Sequence, residues 1–77
     1  MSVNFGEALD AAILKFGLDQ VIELLAKNIE IIEIMDDLHE ISLWHKLYKR
    51  DACGFRREGR LFYIANIHQA ADYLSSL

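Results

Sequence analysis

Apolar positions recur along this chain at intervals that change from one segment to the next, and the changes mark its elements. Phe5, Leu9, Ala12, Ile13 and Phe16 repeat every three or four residues, while Glu7, Asp10 and Lys15 fall elsewhere on the wheel. That is the signature of a helix with one buried face. Asn4 followed by Glu7 has the form of a capping box and sets the start of this helix. Gly17 suits the left-handed residue that ends it. Asp19 is a good N-cap for a second, shorter helix through Val21, Ile22, Leu24, Leu25 and Ala26, which Asn28 closes.

From Ile29 to Arg50 there is no Gly, no Pro and no cluster of turn residues, so a long helix is free to run unbroken. The stretch IEIIEIMDDLHE at its start also resembles an alternating strand, but alternation breaks at Ile31-Ile32. At about 100° per residue, Ile31, Ile34, Met35, Leu38, Ile41, His45 and Tyr48 share one stripe. The expectation is therefore one long helix. Its acids come early and its bases late, the order that the helix macrodipole favours.

Asp51-Ala52-Cys53-Gly54 breaks that helix, and FRREGRLFYI then reads as a β-hairpin turning at Glu58-Gly59. Asn66 and Gln69 repeat the capping-box form and open a last helix, with Ile67, Ala70, Ala71, Leu74 and Leu77 on its buried side. The predicted fold is a single α+β domain over residues 1–77, mostly α, ordered as two short helices, a long helix, a hairpin and a C-terminal helix.

Seventy-seven residues that are 53% hydrophobic exceed what one small core readily uses, which favours self-association or a standing protein partner. Cys53 is the single cysteine, so no internal disulfide forms and a reducing cytoplasm fits best. No basic and apolar leader opens the sequence, and no apolar run approaches a membrane span. The net charge of −4 conceals a division. Residues 1–40 carry nine acids against two bases, and residues 41–77 carry six bases against three acids. One small body thus presents an acidic and a basic surface, each able to steer a partner of opposite sign.

On the long helix, Glu30, Glu33, Asp36, Asp37 and Glu40 fall within one arc that continues into Trp44 and Leu47. An acid ladder ending in an aromatic anchor suits docking on a basic protein surface, with Trp44 at the centre and the acids speeding approach. In the hairpin, a two-residue turn sets Arg57 directly across from Arg60, and such like charges ask for an anion. A phosphate backbone, a partner's carboxylates or a second copy's acidic helix would each supply it.

Chemistry has little foothold. His39 and His45 are six apart and point to different helix faces, so no metal site is expected. Cys53 has no His or acid placed near it by local pattern. No nucleotide, metalloprotease or serine-nucleophile motif occurs, so neither catalysis nor a cofactor is expected.

Ile32, Met35, Ile41 and Ser42, followed by LWHKLYKR and then RREGRLFY, resemble the winged helix-turn-helix of MerR-like regulators and phage excisionases. The resemblance covers Ile32 to Leu74 and implies a DNA-binding regulator, with LWHKLYKR as recognition helix and RREGRLFY as wing. Lys46, Lys49, Arg50, Arg56, Arg57 and Arg60 would then meet the phosphates. Asp36 and Glu40 depart from the small residue and the turn glycine of that pattern, and acids flank the unit. The leading expectation is instead a small non-enzymatic protein that binds another protein through Glu30, Glu33, Asp37, Glu40, Trp44 and Leu47. Inhibitors, immunity proteins and antitoxins of phages and mobile elements are of this type. Homodimerisation through acid helix against Arg hairpin is a secondary expectation.

Overall fold

A computed structural model describes residues 4–34 and 52–77. These form helix α1 (Phe5–Phe16), helix α2 (Leu18–Ala26), strand β1 (Ile31–Ile34), strand β2 (Cys53–Arg57), strand β3 (Arg60–Ile64) and helix α3 (Ile67–Ser75). The architecture is α+β and mostly helical, with a three-stranded antiparallel sheet in the order β1-β3-β2.

The caps form where the side chains predict them. The Glu7 amide donates to Asn4 Oδ1 at 3.2 Å, and the Gln69 amide to Asn66 Oδ1 at 3.0 Å. Gly17 lies at φ +86° and serves two helices. Its N–H donates to Ile13 O at 2.7 Å and its carbonyl accepts from Val21 N at 3.1 Å. α2 therefore begins at Leu18, and Asp19 sits inside its first turn, not at the N-cap. A carboxylate there still suits the helix dipole. Asn28 closes α2 as expected, its side-chain amide donating to Leu24 O at 3.3 Å.

Ile31–Ile34 corrects the long helix: it is an edge strand paired antiparallel with β3, from Ile31 opposite Ile64 to Ile34 opposite Leu61. The broken alternation that argued against a strand matters only when one face of the sheet must be polar. Here Ile31 and Glu33 face the helices, while Ile32 and Ile34 share the other face with Tyr63, and Ile34 and Tyr63 are buried there. Apolar residues on both sides are then what the site demands, and β-branched isoleucines fit it. Met35 to Arg50, the rest of the predicted helix, lies outside the described residues. Ile32 is thus a strand residue and not part of the first helix that the winged-helix resemblance implies.

The core lies between the helices and one face of the sheet. Leu9, Val21, Leu25, Phe62 and Ile64 are fully enclosed, and α1 packs against both α2 and α3. Phe55 joins this layer through an edge contact with Phe5 and a stacked one with Phe62, at centroid distances of 5.4 and 5.3 Å. Each arrangement is one that aromatic quadrupoles favour. Two residues expected inside are not: Phe16 and Leu77 lie at element ends and are exposed.

Candidate functional site

The hairpin turn determines the geometry of its arginines. Glu58 and Gly59 have φ of +54° and +75°, the left-handed pair of a type I′ turn, whose twist matches that of the strands it joins. In this register Arg57 stands opposite Arg60, and both project from the face that packs against the helices. The counter-charge that two facing guanidiniums require comes from within the chain. Arg57 Nε donates to Asp10 Oδ1 of α1 at 2.7 Å. Arg60 Nη1 donates to Asp19 Oδ1 of α2 at 2.6 Å. Arg60 also grips Glu33 of β1 with both prongs, Nε to Oε2 at 3.0 Å and Nη2 to Oε1 at 2.9 Å.

Two arginines and three carboxylates thus gather at the turn end of the sheet and tie β1, β2, β3, α1 and α2 together, leaving the cluster one negative charge in excess. The Arg60–Glu33 fork is its tightest member, because parallel N–H···O⁻ bonds fix both distance and plane. Asp19 is 86% exposed, so water competes for its outer oxygen and weakens that arm. The Arg60 hydrogen bonds hold the Glu33 carboxyl below the usual carboxylate range, and the two carboxylates raise the guanidinium's affinity for its proton further. Arg60 also lies over the Phe62 ring, 5.2 Å from its centroid, so the ion cluster rests directly on the core.

The candidates divide accordingly. Arg57, Arg60 and Glu33 meet in one cluster, with Asp10 and Asp19, which local sequence reasoning missed. Arg56 is on the opposite face of the hairpin and exposed, its Nη1 3.5 Å from Gly59 O. Glu30 is exposed just ahead of β1, where its carbonyl accepts from the Ala65 amide at 2.9 Å. Glu30 and Glu33 therefore belong to an extended segment and do not share a helical arc. Asp37, Glu40, Trp44, Lys46, Leu47, Lys49 and Arg50, with His39 and His45, lie outside the described residues. Cys53 is half-buried in β2, its Sγ 3.2 Å from Gly54 O. Among the described residues no three His, Cys, Asp or Glu side chains are grouped to hold a metal ion, and no helix is long and apolar enough to cross a membrane.

No family model, curated protein or solved structure matches this chain.

Proposed function

We propose that this protein is a non-enzymatic regulator that works by binding another protein with a basic surface, in the manner of an inhibitor, immunity protein or antitoxin. The observation that supports this reading is the closure of Arg57 and Arg60 by Asp10, Asp19 and Glu33. A hairpin whose facing arginines are already neutralised offers little to a phosphate backbone, where affinity grows with each unpaired cation brought to the nucleic acid. What the cluster projects is a slight negative excess, in keeping with the acidic balance of residues 1–40. Such a field steers a cationic partner. Glu30, exposed at the entry to β1, and Asp37, Glu40, Trp44 and Leu47 are the contact residues of this reading.

The test is capture from nuclease-treated lysate of the native host, with the bound proteins identified by mass spectrometry. A basic protein should be retained by the wild type and lost with Glu30→Lys plus Asp37→Lys, while Arg56→Ala retains it. Fluorescence anisotropy with generic duplex DNA should show no binding even at low salt. DNA binding that weakens steeply with salt and requires Lys46, Lys49 and Arg56 would overturn the proposal in favour of the winged-helix reading.

A further inference from the structure

Leu14 is 91% exposed in the last turn of α1, well beyond Phe16 at 42%, while Phe5, Leu9 and Ile13 of the same helix are covered at least in part. Around it α1 presents Glu7, Ala11 and Lys15. Ala11 lies midway between Glu7 and Lys15 in sequence. A shallow groove runs beside these residues between α1 and α3, floored by Ala8 and Ala12 and edged by Leu77. Lys15 Nζ reaches across it to Leu77 O at 3.5 Å.

We propose that this face of α1 is the interface of a homodimer in which two copies of α1 pack antiparallel about a two-fold axis at Ala11. A two-fold interface uses the same patch twice, so the patch must complement itself. This one does. Antiparallel pairing about Ala11 sets residue 7 at the level of residue 15 of the other copy, so each Glu7 meets the partner's Lys15. Parallel pairing would oppose like charges instead. The small side chain at Ala11 lets the helices approach within the range of ordinary helix packing. Leu14 then covers the partner's Ala11 and the methylenes of its Glu7, while each Lys15 exchanges its long 3.5 Å contact with Leu77 O for the partner's Glu7 and lays its stem over the partner's Ala8. This interface borders the arginine cluster at Asp10, which lies one turn before Leu14 on α1 and is held by Arg57 of its own chain. The hairpin arginines take their anions from their own chain and are not needed to join copies.

Light scattering on the eluting peak, from micromolar to millimolar protein, should give a mass that rises from 8.9 kDa towards twice that value. Leu14→Asp should weaken association by about tenfold or more, since a charge would be buried at the centre of the contact. Glu7→Lys and Lys15→Glu should each weaken it, and the double variant should recover it, with circular dichroism confirming that every variant remains helical. A wild type that stays at 8.9 kDa at the highest concentration overturns the proposal. So does a dimer that Leu14→Asp leaves intact, or a folded double variant that fails to reassociate.

Discussion

Arg60 draws carboxylates from two other elements onto one guanidinium, and its loss should be felt more than that of Arg57. Removing Arg60 leaves Glu33, a half-buried strand residue, without its fork, whereas Asp10 beside Arg57 is well exposed and regains water. Arg60→Ala should therefore lower the thermal midpoint further than Arg57→Ala, and equal shifts would contradict the ranking. The sign of the pH dependence follows from Glu33. Its folded-state pKa lies below its unfolded value, which is about 4.3 for glutamate. The stability it contributes is present above that value and is lost as pH falls through the folded pKa. Arg60, shifted upward, stays charged throughout the acid and neutral range, so the pH dependence of the pair comes from its carboxylates. Melting curves below about pH 4 should accordingly fall less steeply for Glu33→Gln than for the wild type; parallel curves would remove Glu33 from the account.

Each described element owes its limits to a few residues, and the hairpin is the most sensitive. Glu58 occupies a left-handed conformation that costs a residue with a Cβ about 1 kcal/mol, and Gly59 occupies another at no such cost. Gly59→Ala should destabilise the protein by about 1 kcal/mol in urea unfolding. Glu58→Asn should stabilise it by a few tenths, because Asn-Gly is the preferred pair for this turn. At the helix starts, Asn4→Ala and Asn66→Ala should each cost about 1 kcal/mol by removing the oxygen that caps an amide. A variant at either site as stable as wild type would mean that water caps as well as asparagine.

A chain of 77 residues has a total stability of roughly 4 to 12 kcal/mol at the usual value per residue. Phe62 sits on the central strand at 1% exposure, stacked on Phe55 and roofed by Arg60. Phe62→Ala should cost about 3 to 5 kcal/mol, a large share of that total, and the urea midpoint should drop accordingly. Among the described residues, sheet, helices and ion cluster converge at this point.

Much of the fold was legible locally. Asn4, Gly17, Asn28, Glu58-Gly59 and Asn66 act on backbone groups within four residues, so their pattern alone determined where three helices and a hairpin begin or end. Burial on α1 and α3 was legible in the middle and failed at the ends, where Phe16 and Leu77 outrun the elements they would pack against. What only the tertiary structure decided lies at longer range. IIEI, Ile31 to Ile34, satisfies the spacing of a helix and the residue preferences of a strand, and pairing with β3 across some thirty residues selected the strand. The arginines at the turn were predicted to face each other, but not what neutralises them. Glu33, Asp19 and Asp10 stand 27, 41 and 47 residues away in sequence. Short-range patterns encode hydrogen bonds and turns because both partners lie within one segment; the pairing of a strand or a charge with a distant segment exists only once the chain has closed.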